Sequence, residues 1–528
     1  MSSYAHLYPK LDPADEEQAA AQACHWRPLG TSASSETEYE RKAIGSETFT
    51  FISRAADPKH HCSTITCSAA VSLRQKDDNL TSGYDERVWK QIFRAAWIDV
   101  ALRLPFALLA RQDRPDQLKI RLPSRVQEIE QWADDTVSFE KADHTQQANM
   151  DALLHTKEVL GCLEFPTSLG NEAKLHVLPA NEPLCFIVAL QISHSLTDGS
   201  GALAILKLIL QHVVNFDGNT PAQIDLPPVS VLASRLLPGF SALVREDARP
   251  KPEQYESITM QQVCKMTGAG FHAFKLHFDR PFPPSEWGAT LNVVEQLSED
   301  LTRKINAFAK MHNLNVSFLI HAAWGLTNAR QNTQEMRSDT TMAGFVAINS
   351  RRAFPLELQD PTVSAQGCVS PVSICIPIGA ATADFADPTE RLLMLSKYLA
   401  DEFKGVEKQR GTMAFLSERW MQRLIAAHPA GEAPAPVQHP ILVADGKYDR
   451  ILPPILRSKK ALEVELHTEA ILMGIDHGGP VNVTPIGCRW WSFRDQLHFG
   501  ADFSEGNFEK RQVQKYLSDW KKILEEVV

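Results

Sequence analysis

The sequence predicts an α/β protein of two similar-sized domains, in which mixed sheets are flanked by helices. The chain has 528 residues, more than one ordinary hydrophobic core accommodates. Strand-like and helix-like patterns alternate in both halves, and a proline-rich stretch separates them. We therefore expect a first domain at 1–225, a connection at 226–258, and a second domain at 259–528 that crosses back to the first.

The first half contains a strand pattern followed by a helix pattern. Alternating β-branched residues predict a strand at 63–73. Acidic residues precede apolar residues at helical spacing, which predicts a helix at 85–101. Trp89, Phe93 and Trp97 lie four residues apart on that helix, so we expect them to pack in the core.

The second half repeats this mixture of elements. Its patterns predict helices at 301–311, 316–328, 390–403 and 508–527, and strands at 342–348, 369–378 and within 489–503. Ser298 is a candidate N-cap for the first of these helices. Residues 229–244, inside the connection, are predicted to form a short helix.

Charge and composition exclude several classes of partner. The chain carries 54 basic and 64 acidic residues, a formal net charge of −10. A mildly acidic chain offers no basic surface for a phosphate backbone or an anionic membrane. We therefore expect neither nucleic acid nor a membrane surface among its partners.

The sequence also predicts a cytoplasmic protein without a metal. Its start has no basic region followed by an apolar stretch, and no apolar run approaches the roughly 20 residues of a membrane span. The nine cysteines lack the paired spacing of a zinc site. The run at 60–62 (His-His-Cys) has no second cluster to complete a tetrahedral site, so free thiols are the preferred interpretation.

One segment contains the candidate catalytic residues. A near-continuous apolar run at 181–193 predicts a strand buried on both faces, and it ends at His194. Asp198 and Gly199 begin a glycine-containing turn before a largely apolar helix pattern at 202–214. A histidine between two buried elements is either a stiffly mounted catalytic base or a core residue satisfied by nearby backbone.

This residue set suits acyl transfer to an alcohol. A neutral imidazole within hydrogen-bond reach of the hydroxyl can act as general base near pH 7. Asp198 is expected to accept backbone N–H groups of the turn or to pair with an arginine. Glycines such as Gly199 let the chain turn and approach its neighbours closely.

The His-x-x-x-Asp-Gly pattern after an apolar strand resembles the signature of the coenzyme A-dependent acyltransferase superfamily. That superfamily includes plant alcohol acyltransferases, chloramphenicol acetyltransferase and peptide-synthetase condensation domains. Residues 345–352 resemble a condensation-domain segment whose arginine pairs with the motif aspartate. The resemblance assigns that role to Arg351, with Arg352 as the alternative. Residues 367–372 resemble the strand that leaves the second domain near the tunnel.

The resemblance implies a chloramphenicol acetyltransferase-like fold with a tunnel between its two domains. His194 would lie midway and form the catalytic pair of the motif with Asp198, whose role would be structural, while Gly199 and Arg351 would support the site. Acetyl-CoA would be the cosubstrate, no cofactor would be bound permanently, and the protein would be a monomer. Condensation domains usually have two histidines in tandem, whereas Ser193 stands here, which favours ester formation. The likeness extends to fungal enzymes of sesquiterpenoid metabolism, which implies acetylation of a sesquiterpenoid hydroxyl, the 15-hydroxyl of a trichothecene.

Two other enzyme classes fit the sequence less well. A serine hydrolase lacks its nucleophile elbow, because no Gly-x-Ser-x-Gly occurs, and residues 476–480 are better explained as a turn. Residues 267–271 lack the third glycine of a dinucleotide-binding loop. The remaining alternatives are an acyltransferase for another alcohol or an amine, and a catalytically silent homologue that binds a metabolite or a carrier protein.

Overall fold

The protein is described from a computed structural model. The description covers residues 24–29, 37–48, 50, 64–75, 86–114, 116–139, 148–161, 171–182, 184–216, 224–267, 272–273, 290–331, 337–384, 387–416, 441–459, 464–476, 486–505 and 508–528. Within these ranges no helix is long and apolar enough to cross a membrane.

The described strands are β1 Arg27–Pro28, β2 Glu38–Lys42, β3 Thr64–Gln75, β4 Ala110–Arg114, β5 Gln117–Arg121, β6 Val137–Phe139, β7 Ala173–Pro179, β8 Cys185–Ser193, β9 His272–Ala273, β10 Thr290–Gln296, β11 Thr340–Asn349, β12 Val369–Ile376, β13 Ile441–Lys447, β14 Ile455–Arg457, β15 Val464–Ile475, β16 Gly487–Phe493 and β17 Gln496–Ser504. The described α-helices are α1 Glu86–Arg103, α2 Pro105–Leu108, α3 Val126–Thr136, α4 Met150–Gly161, α5 Gly199–Val214, α6 Val229–Ala233, α7 Phe240–Leu243, α8 Tyr255–Thr267, α9 Glu299–Met311, α10 Val316–Gln331, α11 Ile378–Asp384, α12 Pro388–Lys408 and α13 Lys510–Glu525. Strands and helices alternate in both halves, as the sequence predicts.

A six-stranded sheet, counted over the described residues, carries the motif strand. Its order is β14-β15-β3-β8-β7-β6, and β6 and β7 pair in parallel while the other neighbours are antiparallel. β14 and β15 come from the last quarter of the chain, yet β15 pairs with β3 along almost its whole length. The second half therefore crosses over and completes the sheet of the first half.

The second half forms a seven-stranded mixed sheet within the same described ranges. Its order is β10-β17-β16-β13-β11-β12, and β9 pairs with β11 off this path. β13 runs parallel to both β11 and β16, whereas β10, β17 and β16 form an antiparallel run. A small antiparallel sheet of order β1-β2-β5-β4 has no strand pairing with either of these sheets in the described residues.

Each large sheet has its own hydrophobic core. One face of the six-stranded sheet packs against α1 and α5, where Phe93 and Trp97 are fully buried, as predicted. The seven-stranded sheet packs against α9, α10, α12 and α13, and Trp520 of α13 stacks on Phe499 of β17. Two cores of this kind, joined by the crossing strand β15, give the α/β fold predicted from the sequence.

The helices and strands that local patterns predict overlap described elements, except in the connection. The Ser298 hydroxyl accepts a hydrogen bond from the Leu301 N–H, which confirms the predicted cap of α9. The single helix predicted at 229–244 is wrong, because the segment forms the two short helices α6 and α7. Pro238 cannot donate a backbone hydrogen bond, and the Gly239 N–H donates to the Cys24 carbonyl instead of to a helical partner.

Candidate active site

His194 lies at the point where a buried strand gives way to a buried helix. All nine residues of β8 are buried, and the strand ends at Ser193. Helix α5 begins at Gly199, earlier than the apolar pattern alone predicts, because Asp198 caps it. The loop between them is therefore anchored at both ends and presents a half-buried His194.

The hydrogen bond of His194 defines its tautomer. Nδ1 lies 2.9 Å from the Thr197 carbonyl oxygen. A carbonyl oxygen only accepts, so Nδ1 carries the proton and donates it. In the neutral ring, Nε2 then has a free lone pair. Over the described ranges nothing hydrogen-bonds to Nε2, so this nitrogen is available as a base.

The Asp198 carboxylate is buried, and each of its two oxygens accepts two hydrogen bonds. Oδ1 accepts the Gly201 N–H at 2.8 Å, which caps α5. Oδ2 accepts the Cys368 N–H at 2.7 Å from the other half of the chain. The two guanidinium Nη atoms of Arg351 donate to Oδ2 at 2.8 Å and to Oδ1 at 3.1 Å, as a bidentate pair. Both uses foreseen for Asp198, the turn and the arginine, occur together.

Arg351 is held as firmly as its partner. It lies in the 3₁₀ turn Ser350–Ala353 directly after β11, and the Asn349 side chain accepts its backbone N–H at 3.0 Å. Its Nε donates to the Ser364 carbonyl at 2.9 Å, and Nη2 donates to the Gln366 carbonyl at 2.7 Å. The guanidinium therefore joins the motif loop to the segment that precedes β12.

The structure separates the two arginines that the sequence left as alternatives. The Arg351 side chain is 2% exposed and pairs with Asp198. Burial lowers the pKa of Arg351, but the attraction of Asp198 outweighs it and raises the pKa above its ordinary value. Arg352 is 68% exposed and lies 3.7 Å from Glu407. Arg351 is therefore the arginine that forms the ion pair with the motif aspartate, Asp198.

The glycines after Asp198 serve close packing. Neither Gly199 nor Gly201 has a positive φ, and both make the close approach to their neighbours that the sequence predicts. A Cβ on Gly201 would lie 2.1 Å from the Ala365 carbonyl oxygen, and one on Gly199 would lie 2.6 Å from the Met473 sulfur. Helix α5 begins so close to neighbouring segments that there is no room for a side chain at Gly199 or Gly201.

A second buried charged cluster, which the sequence patterns do not predict, lies beside the start of α5. Arg489 of β16 pairs with Asp445 at 3.2 Å and with Asp502 at 2.8 Å. The Tyr448 hydroxyl donates to Asp445 at 2.9 Å. Burial raises the pKa of Asp445 above its ordinary value, although Arg489 and Tyr448 offset part of that shift.

A sequence signal for this cluster existed. Arg489 and Asp502 stand inside apolar strand patterns, where a charge is costly unless it is paired. Asp445 Oδ1 lies 3.9 Å from where a Cβ on Gly199 would be, which brings the cluster next to the motif helix. Charges inside two apolar strand patterns therefore indicate buried, paired groups, although the patterns do not say which residues pair.

The segments considered for other chemistry add no site. Over the described residues, no group of three or more His, Cys, Asp and Glu side chains is placed to hold a metal ion. Residues 60–62, 268–271 and 477–480 lie outside the described ranges. Ser193, where a tandem histidine would stand, hydrogen-bonds through its hydroxyl to Ser195 at 2.8 Å.

Solved structures relate the chain to the two-domain acetyltransferase fold that condensation domains share. Trichothecene 15-O-acetyltransferase TRI3 from Fusarium sporotrichioides matches at TM-score 0.77 and 14% identity, over 99% of this chain and 100% of that one. A mutant starter condensation domain of the rhizomide synthetase RzmA, in complex with C8-CoA and Leu-SNAC, matches at TM-score 0.57 and 10% identity, over 91% and 92%. The X-domain from teicoplanin biosynthesis matches at 0.55 and 12%, over 92% and 94%.

These likenesses concern the fold, because the identities are low. No protein-family model matches the sequence, and no curated protein matches it. The mixed sheets, the flanking helices and the two-domain organisation are therefore those of the chloramphenicol acetyltransferase-like fold, as the sequence predicts.

The neighbouring arginines allow a matched test of the ion pair. We expect Arg351→Ala to lower the free energy of unfolding by about 3–5 kcal/mol, because it leaves the buried Asp198 without its charge partner. Arg352→Ala, which truncates an exposed side chain, should change it by no more than about 0.5 kcal/mol. Urea unfolding followed by tryptophan fluorescence measures both, and equal effects would contradict the assignment.

Substitution of two glycines by alanine tests the close approach of α5 to the segment that contains Ala365. Gly201→Ala should destabilise the protein by about 1–3 kcal/mol, since the new methyl group would meet a backbone carbonyl. Gly405→Ala, in α12 with nothing within 4 Å of its Cβ, should stabilise it by about 0.5–1 kcal/mol. Thermal unfolding measures both variants. A higher unfolding midpoint in Gly201→Ala as well as in Gly405→Ala would contradict tight packing at Gly201.

Proposed function

We propose that the protein is an acetyl-CoA-dependent O-acetyltransferase with His194 as its general base. The observation that carries the proposal is the hydrogen bond from His194 Nδ1 to the Thr197 carbonyl, which leaves Nε2 free to accept a proton. The acceptor we propose is a hydroxyl of a fungal sesquiterpenoid, the 15-hydroxyl of a trichothecene. The structural likeness to a trichothecene 15-O-acetyltransferase supports this acceptor.

Transfer is direct in this proposal. Nε2 of His194 takes the proton of the acceptor hydroxyl as its oxygen attacks the thioester carbonyl carbon. The carbon–sulfur bond then breaks, and the proton passes from His194 to the departing sulfur, which gives coenzyme A and the ester. A thioester is already activated, so no covalent enzyme intermediate is required. The neighbour solved with C8-CoA supports a coenzyme A thioester as cosubstrate.

Asp198 has no part in proton transfer here. Its two oxygens accept four hydrogen bonds, from Gly201, Cys368 and Arg351, and none joins it to the imidazole. We propose that Asp198, Arg351 and Gly199 support the site while His194 performs the chemistry. Removing the carboxylate would therefore affect stability and activity together.

The domain boundaries stay a prediction. We propose domains at 1–225 and 259–528, joined by 226–258, with the substrates meeting in a tunnel between them. The crossing strand β15 and the contacts between the motif loop and the segment before β12 support a site at this junction. The cytoplasmic location and the monomeric state likewise stay predictions.

Replacing His194 tests the proposal. We expect His194→Ala to lower the turnover rate at least 100-fold while coenzyme A still binds, because general-base catalysis contributes about 10²–10⁴-fold. His212→Ala is a matched control, since His212 lies on the same helix α5 and pairs with Asp99. Thiol release from acetyl-CoA, with trichothecene intermediates bearing a free 15-hydroxyl, measures turnover.

The outcomes separate the alternatives. Activity of His194→Ala within about tenfold of the unsubstituted protein, or 1.4 kcal/mol, would contradict its role as base. Turnover with other alcohols or with amines, but not with the 15-hydroxyl, would redefine the acceptor and keep the reaction. No thiol release with any acceptor, together with tight coenzyme A binding, would favour a catalytically silent homologue.

A further inference from the structure

Asp445 is the extra residue of a β-bulge beside the first turn of α5. The pairing of β13 with β16 shifts register between Ala444 and Gly446, so Asp445 has no partner in the neighbouring strand. Gly446 has φ +76°, a conformation that glycine adopts readily. Bulges are common next to active sites, where they change the direction of a side chain. Here Oδ1 of Asp445 lies 3.9 Å from the position of a Cβ on Gly199.

Gly199 belongs to the accessible side of the motif. Within the described segment 193–201, His194, Gly199 and Ser200 are half-buried, whereas the other residues are buried. The Thr197 carbonyl holds the His194 ring, and Thr197 is two residues before Gly199. The Cα atoms of Thr197 and Gly199 can be at most about 7 Å apart. The proposed base and the residue that the bulge approaches therefore lie in one short turn, on its accessible side.

One oxygen of the Asp445 carboxylate has no partner and is accessible. Oδ2 accepts hydrogen bonds from Arg489 at 3.2 Å and from Tyr448 at 2.9 Å. Oδ1 accepts none from the described residues, and unlike Asp476 Oδ2 it is not sealed from water. The side chain is 10% exposed, and a Cβ on the adjacent Gly446 would have no described atom within 4 Å. Oδ1 therefore borders space that a ligand can enter.

A structural role accounts for only part of this carboxylate. Asp198 already caps α5, so the helix does not need Asp445 for that purpose. Arg489 pairs with Asp502 as well as with Asp445, so one guanidinium serves two carboxylates. A largely buried charge is costly unless its hydrogen bonds are made. A hydrogen-bond donor on a ligand would complete the set at Oδ1.

The ligand group that suits Oδ1 is a hydroxyl. A carboxylate accepts hydrogen bonds and repels the phosphate groups of coenzyme A, so the acceptor alcohol is the better partner. We propose that Asp445 is a specificity-determining residue whose Oδ1 accepts a hydrogen bond from a second hydroxyl of the acceptor, one that is not acetylated. The inference rests on the function proposed above and narrows the substrate class to alcohols that carry a further free hydroxyl.

Pairs of acceptors test this role in the unsubstituted protein. Each pair is a trichothecene with a free 15-hydroxyl and one further free hydroxyl, and its analogue that lacks the further hydroxyl. For at least one position of that hydroxyl, kcat/KM should favour the hydroxylated acceptor about 10- to 100-fold, the usual contribution of one hydrogen bond to a charged group. A preference below about threefold in every pair would overturn the role of Asp445.

The two carboxylates that share Arg489 provide matched variants. Asp445→Ala should raise KM for the hydroxylated acceptor until the two kcat/KM values agree within about threefold, while KM for acetyl-CoA changes no more than about threefold. Asp502→Asn is the control, because Asp502 is 1% exposed and accepts hydrogen bonds from Arg489 and the Ile475 N–H. It should lower the melting temperature and keep the preference.

A second substitution keeps the test decisive if the alanine variant does not fold. Asp445→Asn keeps an oxygen for Arg489 and Tyr448 but removes the charge. The preference should then fall at least about fivefold, because hydrogen bonds to a neutral group are weaker. Full preference in either folded variant, or an equal loss of kcat/KM for both acceptors, would overturn the role of Asp445 and leave the proposed function intact. Absence of thiol release from acetyl-CoA with every acceptor would overturn both.

Discussion

The buried ion pair between Asp198 and Arg351 is the interaction on which the site depends. Its members are 153 residues apart in the chain and almost wholly inaccessible. Two buried charges are unfavourable unless their geometry is good and their remaining hydrogen bonds are made. Here both conditions hold, because the carboxylate also caps α5 and accepts the Cys368 N–H, while the guanidinium also binds two backbone carbonyls. One carboxylate thus fixes the first turn of a helix and joins two halves of the chain.

The histidine and the aspartate of the motif have separate structural roles. In a serine-protease triad an aspartate orients the histidine directly. Here Asp198 is occupied elsewhere, and a backbone carbonyl of the same loop sets the tautomer of His194. The loop geometry therefore orients the base, and the ion pair fixes the loop. The close approach of Gly201 and the Thr197 hydroxyl to Ala365 tightens the same junction.

Sequence patterns predicted the fold class and the local setting of His194, because both depend on short-range regularities. The apolar strand, the histidine and the apolar helix all lie within about thirty neighbouring residues, and each has its own periodicity. The choice between Arg351 and Arg352 could not be made in this way, since neighbouring residues share a sequence context and differ only in their tertiary surroundings. The expected close approach of the glycines occurs, but the residues that they approach could not be predicted, for the same reason.

Other features needed the three-dimensional structure. The pairing of Arg489 with Asp445 and Asp502 depends on strand order, which local patterns do not encode. The break between α6 and α7 depends on a hydrogen bond from Gly239 to the distant Cys24. The Gln366 amide, which has no hydrogen-bond partner among the described residues, has no sequence signature, because it is defined by what its surroundings lack.

The protonation of the two ring nitrogens of His194 is the most direct test of how the site works. Nuclear magnetic resonance of the protein with ¹⁵N-labelled histidine distinguishes a protonated ring nitrogen from a bare one, and His194→Gln identifies the signals. In the neutral ring, we expect the proton on Nδ1 and a lone pair on Nε2. A proton found on Nε2 instead would contradict the assignment of His194 as a base held by the Thr197 carbonyl.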